Sequence, residues 1–332
     1  MKSEEPKTTS RALVRDLQAR SKECHKYVRS SFESEHIEYQ ELKRALKYYF
    51  SYWTDFTHPG LFSIAFEASG GTVGQELKPQ AALAMMAAAF DVHDDIIDKS
   101  VRKHNYPTVF GKFGQDIALL LGDAFLIKGM TLLNSSVLEC RSKNKEEVFT
   151  IAKDCLFEMG NAHALELEMK GRLDVSPIEY LRILEMKGAS IEADMHIASL
   201  LAGGSENEIA ALKNYGRIIG TLATLREESV DIFETEELNR RVKNETLPLP
   251  LMFALQDSEL KEKIMKFLKK GEIVSKDINQ LADIVFDSKP VVGLKKKMEK
   301  LCERAAFLAQ SMTNRKSAAL LVRLAQSMLE DL

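Results

Sequence analysis

The sequence predicts an all-α protein, a single large helical bundle around a central apolar cavity. Three observations carry this expectation. Apolar residues recur at helical spacing through most of the chain. No stretch alternates apolar and polar residues with a period of two, and no short repeat is present. Gly and Pro fall mainly between the periodic segments, where they punctuate about a dozen helices.

Residues 1–10 are polar and read as a disordered N-terminus, so the single domain spans 11–332. From Arg11 to Tyr52, Leu13, Leu17, Tyr27, Leu42, Leu46 and Tyr49 recur among charges, with no Gly or Pro to break a helix. Thr57-His58-Pro59-Gly60 is a turn signal, Leu61 to Ala68 a short apolar helix, and Ser69 to Gly74 a loop. A central helix then runs from about Pro79 to Asp98, with Pro tolerated in its first turn. Asn105, Pro107, Gly111 and Gly114 mark Lys99 to Gly114 as a loop before a mostly apolar helix, Ile117 to Leu133. That helix carries one acid, Asp123, suited to orienting a neighbour or to catalysis.

Lys145 to Met169 is a long amphipathic helix, and Ser176-Pro177 starts another that extends to Leu201. Gly203-Gly204 ends it, and Glu206 to Phe233 follows. Leu247-Pro248-Leu249-Pro250 breaks the chain. Leu260 to Lys270, Ser275 to Phe286 and Val291 to Leu332 are further amphipathic helices, with Lys295-Lys296-Lys297 on a solvated face.

The net charge of -3, from 46 basic and 49 acidic residues, gives no reason to expect nucleic acid as a partner. The longest apolar runs fall well short of the roughly 20 residues of a membrane span. The polar N-terminus has no signal-peptide core. Cys24, Cys140, Cys155 and Cys302 show neither CxxC pairing nor zinc spacing, and read as reduced thiols of a cytoplasmic protein.

The chain's most informative stretch follows the uncharged, helix-forming run Ala81 to Phe90. In Asp91-Val92-His93-Asp94-Asp95-Ile96-Ile97-Asp98, helical continuation stacks Asp94 over Asp98 on one face, with Asp95 alongside. Like charges at this spacing repel, and an apolar flank makes uncompensated carboxylates costly. Something positive should sit among them. Carboxylate oxygens are hard ligands that suit magnesium carried in with substrate phosphates, and Lys99, Arg102, Lys103 and His104 follow directly. The plain alternative is a solvated acidic helix end.

Glu227, Glu228 and Asp231 repeat the same spacing at the end of the helix carrying Ile218, Ile219, Leu222 and Leu225. Two such clusters, each closing an apolar helix, are stronger evidence than one. Facing each other, they would hold divalent ions and a diphosphate between them, with buried helices enclosing a hydrocarbon tail.

These segments resemble the polyprenyl synthetase family, the trans-isoprenyl diphosphate synthases of the class I isoprenoid synthase fold. Asp94-Asp95-Ile96-Ile97-Asp98, preceded by His93, looks like the family's first aspartate-rich motif. Pro107-Thr108 and Leu121-Gly122-Asp123-Ala124-Phe125-Leu126 look like its Pro-Thr and Gly-Asp stretches. Lys187-Gly188-Ala189-Ser190 resembles its Lys-Thr-Ala-Ser, Gly216 to Asp231 the helix ending in the second motif, and Thr246-Leu247-Pro248 its Thr-Leu-Pro. The resemblance implies Mg2+ as cofactor, held by Asp94, Asp95, Asp98, Glu227, Glu228 and Asp231. It implies an allylic prenyl diphosphate as substrate, Lys187 and Lys103 as its catalytic cations, and a homodimer. Phe90, four residues before Asp94, stands where the family uses bulk to floor the tail pocket; a core role would also account for it.

The departures cluster on one substrate. The second motif begins Glu-Glu where the family has Asp-Asp, and Ala223-Thr224 replace Phe-Gln before it. The family's lysine before Thr-Leu-Pro lines up with Asn244, one residue from Lys243. At the isopentenyl diphosphate site, Gln75, Glu76, Leu77, Lys78 and Pro79 line up with Lys-Arg-x-Arg-Pro, Ala87 with a histidine, and Lys103 and His104 with paired arginines. Lys78, Arg102, Lys103, His104, Lys187 and Lys243 remain as substrate-binding cations. The expectation is a prenyltransferase with an atypical acceptor site. A class I terpene synthase that needs no second substrate, and a non-catalytic partner subunit, are the alternatives.

Overall fold

The structure is a computed structural model that describes residues 6–103, 106–139 and 145–330. Among these residues it is helical almost throughout, as the apolar periodicity predicts. In chain order the elements are α1 (Pro6–Glu33), α2 (Gln40–Tyr52), α3 (Thr57–Ala68), α4 (Leu77–Ile97), β1 (Arg102–Lys103), β2 (Tyr106–Pro107), α5 (Val109–Phe113) and α6 (Gln115–Glu139). There follow α7 (Lys145–Leu167), α8 (Pro177–Lys187), α9 (Ala189–Ala202), α10 (Glu206–Val230), α11 (Thr235–Asn244) and α12 (Leu249–Ala254). The chain ends in α13 (Ser258–Leu268), α14 (Ser275–Phe286), α15 (Lys289–Ala309) and α16 (Arg315–Ser327). None of the described helices is long and apolar enough to cross a membrane.

The chain divides into two compact units. The first contains Met1–Ile151, Asp194–Leu212 and Met312–Ala318. Its core lies between α1, α2, α4 and α6, where Cys24, Val28, Phe32, Tyr49, Met85, Val92, Leu121 and Phe125 are buried together. α4 is buried on nearly every side from Pro79 to Ala89, so its small apolar residues form no single stripe. The second unit contains Ala152–Ala193, Lys213–Ser311 and Ala319–Leu332. Here α12 packs on α8, α14 and α15, and the buried Tyr215 hydroxyl donates to the Leu321 carbonyl at 2.7 Å.

Several boundaries differ from the sequence reading, each for a local reason. α1 begins at Pro6 rather than Arg11. The expected helix to Tyr52 breaks after Glu33, where Ser34 Oγ donates to the Ser31 carbonyl and Glu35 N–H to Phe32. The polar run there has no face to bury, and propensity alone does not sustain a helix. Thr57 to Gly60 is the first turn of α3 rather than a free turn. Asp55 Oδ1 accepts the Thr57 and His58 N–H groups at 2.9 and 3.2 Å, and Pro59 sits where its missing donor costs nothing.

The segment read as loop from Lys99 to Gly114 holds a two-stranded antiparallel ladder, Arg102 opposite Pro107 and Lys103 opposite Tyr106, and then α5. The helix expected over 178–201 divides at Gly188. A Cβ there would lie 2.9 Å from Thr221 Oγ1 and 3.0 Å from the Arg217 carbonyl, so only glycine admits α10 this closely. The last helix divides at Gln310, and Asn314 Oδ1 caps the new start by accepting the Lys316 and Ser317 N–H groups.

Candidate active site

In the first unit, α4 carries its acids to its C-terminal turn, where the backbone carbonyls already make the field negative. The helix stops in a Schellman arrangement: Ser100 N–H donates to Asp95 and Lys99 N–H to Ile96, with Lys99 at φ 54. This turn sends the chain back through the β1–β2 ladder. Thr108 pins the ladder. Its N–H donates to the Val101 carbonyl, its hydroxyl donates to the Ser100 carbonyl at 2.6 Å, and its Oγ1 accepts the Gly111 N–H. The Tyr48 hydroxyl holds the Pro107 carbonyl at 2.7 Å. The Pro-Thr stretch is thus the anchor of a hairpin that returns a cation to the acids.

That cation is Lys103. Its Nζ lies 2.9 Å from Asp95 Oδ1, 3.1 Å from Asp91 Oδ1 and 3.8 Å from Asp94 Oδ2. Burial works against the charged lysine, but Asp91, Asp95 and Asp94 outweigh it and hold the ammonium above its ordinary range. Asp95 is 3% exposed, and burial, aided by Asp91 and Asp94, pushes its carboxyl up to about 7 against the pull of Lys103. Asp94 and Asp98 are half-buried, and Arg102 is exposed. His104 lies outside the described residues.

Asp123 of α6 has its Oδ1 3.3 Å from His93 Nε2 but makes no hydrogen bond to it. Gly122 makes room for the ring, because a Cβ there would stand 2.3 Å from that nitrogen. Glu76 is buried, and its Oε2 accepts the Gly74 N–H at 2.5 Å. Gln75 is exposed, while Lys78, Ala87 and Phe90 are half-buried. A cavity of about 660 Å³ in this unit is lined by Phe32, Leu42, Leu46, Met85 and Leu121 among others. Phe90, expected to floor a tail pocket, is not among its lining residues.

In the second unit, the acids at the end of α10 have a different environment. Glu227 is exposed. Glu228 is buried, and both of its oxygens are taken: Arg241 Nη2 lies 2.9 Å from Oε1 and 3.1 Å from Oε2, and Leu249 N–H donates to Oε2 at 2.7 Å. Arg241 Nη1 donates to Asp231 Oδ2 at 2.7 Å, and its Nε to the Thr246 carbonyl at 2.7 Å. Burial pushes Asp231 up to about 7 against Arg241. The Tyr180 hydroxyl lies 3.0 Å from Glu228 Oε1 and 2.9 Å from Glu166 Oε1, and its single proton serves one of them at a time. Lys187 Nζ is 2.5 Å from Glu166 Oε2. Burial raises Glu166, but Lys187 outweighs it and holds the carboxyl below its ordinary range. Lys243 and Asn244 are exposed.

The structure therefore brings Asp94, Asp95 and Lys103 together in one unit, and Glu228, Asp231 and Arg241 in the other. Among the described residues, no group of three or more His, Cys, Asp or Glu stands ready to hold a metal ion. Sequence reasoning missed Asp91, Glu166, Tyr180 and Arg241. For Arg241 a signal existed, since it shares the buried face of α11 with Leu238, three residues earlier.

The profile of the family described as polyprenyl synthetase matches residues 39–285. Among curated relatives, a short chain isoprenyl diphosphate synthase of Methanothermobacter thermautotrophicus is 29% identical over 180 residues, 54% of each chain. A geranylgeranyl diphosphate synthase of Sulfolobus acidocaldarius is 27% identical over 49% of each chain. The chain thus spans about half the length of these curated relatives. In fold it is similar to the geranylgeranyl pyrophosphate synthetase of Pyrococcus horikoshii, at a TM-score of 0.83 and 19% identity, over 97% of this chain and 99% of that one.

Proposed function

This chain belongs to the polyprenyl synthetase family, and on that basis we propose that it is a magnesium-dependent prenyltransferase that ionises an allylic prenyl diphosphate. The observation that carries the reading is the end of α4, where half-buried Asp94 and Asp98 stand one turn apart beside a lysine returned by the hairpin. This donor set fits magnesium, a hard cation that keeps several waters and takes one or two carboxylates alongside substrate phosphate. When bound, magnesium neutralises the diphosphate leaving group.

The chain's own residues do the rest. Asp94 and Asp98 offer oxygens at the first cluster, and Glu227 and Asp231 at the second. Lys103 and Lys187 are cations already placed beside carboxylates before substrate arrives. Departing diphosphate leaves an allylic carbocation, which buried apolar surface protects from water. No protein nucleophile takes part.

The acceptor site is atypical in this reading. A diphosphate is best held by forked, charge-assisted hydrogen bonds, and the glycine loop instead presents Gln75 and a Glu76 folded onto Gly74. Isopentenyl diphosphate then binds weakly, by a few orders of magnitude if two or three contacts of about 1.5–3 kcal/mol each are absent. The partner is a second copy of this chain, a role suited to the exposed Leu120, Ile127 and Met130 of α6.

The test is incubation with magnesium and allylic diphosphates, with and without isopentenyl diphosphate. A longer diphosphate is the expected product. A hydrocarbon or alcohol formed without isopentenyl diphosphate would make the chain a terpene synthase, a reading the Glu76 geometry also favours. Absence of turnover would leave a partner subunit. Calorimetric titration with isopentenyl diphosphate, using a non-ionising allylic analogue, checks the acceptor site, and micromolar binding would overturn its weakness.

A further inference from the structure

We propose that Arg241 is the resident cation of the second acidic cluster, a positioning residue that withdraws Glu228 from divalent-cation binding and fixes Asp231. The inference rests on the magnesium-assisted reading above and changes its ligand set. A magnesium ion at the cluster needs carboxylate oxygens at about 2.1 Å in near-octahedral geometry. Glu228 does not offer them. Its two oxygens receive the Arg241 guanidinium and the Leu249 N–H, and the Tyr180 hydroxyl stands 3.0 Å away. The residue is 5% exposed, and Arg241 is 7% exposed.

The arginine is equally committed. Its Nε holds the Thr246 carbonyl, its Nη1 holds Asp231 and its Nη2 holds Glu228. A planar guanidinium with five donors in a fixed fork matches this set, and lysine does not. Two elements of the sequence are thereby explained together. Thr246-Leu247-Pro248 is the turn that delivers one acceptor to Arg241 and one donor, Leu249 N–H, to Glu228. The network also reaches Lys187, because Arg241 Nη2 lies 3.0 Å from the Tyr180 hydroxyl, which adjoins Glu166, the partner of Lys187. Arg241 acts through these groups and touches no substrate. What the second cluster presents to a cation is then Glu227, on the exposed side, and the Asp231 oxygen away from Nη1.

The experiment measures Mn2+ bound to the full chain in the presence of inorganic diphosphate, by the electron paramagnetic resonance of the free ion. In Arg241→Gln, Glu228 and Asp231 lose their built-in cation. This variant is expected to bind an additional Mn2+ ion, or the same number on the order of tenfold more tightly, with helical circular dichroism retained. Arg241→Lys keeps the charge but not the fork, and is expected to bind Mn2+ between the wild type and Arg241→Gln. Retained helical circular dichroism in the same sample excludes cation binding by carboxylates of an unfolded chain. A folded Arg241→Gln that binds Mn2+ as the wild type does, or less well, overturns the proposal.

If Arg241→Gln does not fold, Glu228→Gln decides. Its Mn2+ affinity should stay within about twofold of wild type, while Glu227→Gln weakens it. A loss in Glu228→Gln equal to that in Glu227→Gln overturns the proposal. Failure of the broader reading looks different: a wild-type chain that binds no Mn2+ with diphosphate removes the magnesium chemistry, and the response of Arg241→Gln still settles the role of the arginine.

Discussion

At the end of α4, Asp91, Asp94 and Asp95 share one lysine; at the end of α10, Glu228 and Asp231 share one arginine. The two motifs, Asp94-Asp95-x-x-Asp98 and Glu227-Glu228-x-x-Asp231, have the same spacing, yet their surroundings differ. Lys103 arrives on a flexible stem from a hairpin and spreads its charge over three carboxylates, two of them at least a quarter exposed. Arg241 arrives on the buried face of α11 and satisfies its acids by geometry, with the Leu249 N–H completing the set. An ammonium is a compact charge that can be shared and displaced, whereas a buried fork is a fixed structural bond. Equal spacing in sequence therefore gave one cluster open to exchange and one largely closed.

The largest expected effect tests the open cluster. Asp94→Ala should lower magnesium-dependent diphosphate release on the order of a thousandfold, because losing transition-state charge stabilisation costs several kcal/mol. Circular dichroism should be unchanged, since Asp94 is half-buried and its removal relieves repulsion within α4. Turnover retained in this variant would show that the α4 acids are an ordinary helix end.

The closed cluster should respond in stability. Arg241→Gln leaves Glu228 buried beside a neutral partner, and breaking a buried pair costs about 3–5 kcal/mol. Urea unfolding monitored at 222 nm measures this. A loss below about 1 kcal/mol, the range of an exposed pair, would erase the distinction drawn between the two clusters.

How much of this contrast the sequence carried depends on the scale of the feature. The all-α fold and the placement of α4, α6 and α10 were legible, because long apolar runs bounded by Gly and Pro have few alternatives. The acids at both helix ends were legible as clusters. Their environments were not, because Lys103 and Arg241 reach them through a two-residue ladder and a short polar helix that carry little periodicity of their own. The breaks after Glu33 and at Gln310 were also hidden. They are set by side-chain and backbone capping at Ser34 and Asn314, with no Gly or Pro to announce them. Glu76 stood in the sequence only as an acid in place of a family arginine, and only the fold shows it turned onto Gly74.

A third test reads a buried ion pair through its titration. In the first unit, His58 Nδ1 lies 2.6 Å from the buried Asp194 Oδ2. Burial lowers the affinity of His58 for a proton, but Asp194 and Asp55 outweigh it and raise the imidazole to about 9. Burial also raises Asp194. Both groups hold protons more tightly folded than unfolded, so folding is favoured by lower pH. The contribution of His58 is fully present below its unfolded value of 6.5 and is lost as pH rises through about 9. It amounts to on the order of 2–3 kcal/mol. His58→Gln should flatten the fall in stability between these values. Arg241→Gln should instead steepen the fall above about 7, because Asp231 loses the cation that pulls its carboxyl down. A wild-type stability independent of pH from 6.5 to 9 would remove the charged pair from the account.

The smallest effect sharpens the open cluster itself. His93, immediately before Asp94, lies against α6 with its Nε2 3.3 Å from Asp123 Oδ1, and Gly122 leaves the ring its space. A Cβ at Gly122 would stand 2.3 Å from His93 Nε2 and 2.5 Å from its Cδ2, so the ring must move. The backbone of α6 need not, because Gly122 sits within the helix and alanine favours that conformation. Overpacking of this kind costs about 1–3 kcal/mol, partly offset by the gain of about 1 kcal/mol in helix propensity. Gly122→Ala should therefore lower the unfolding midpoint only modestly. His93→Ala in the same background should restore most of the loss, since it removes the clashing ring. If the double variant is no more stable than Gly122→Ala alone, the glycine serves some other contact, and His93 is not seated by it.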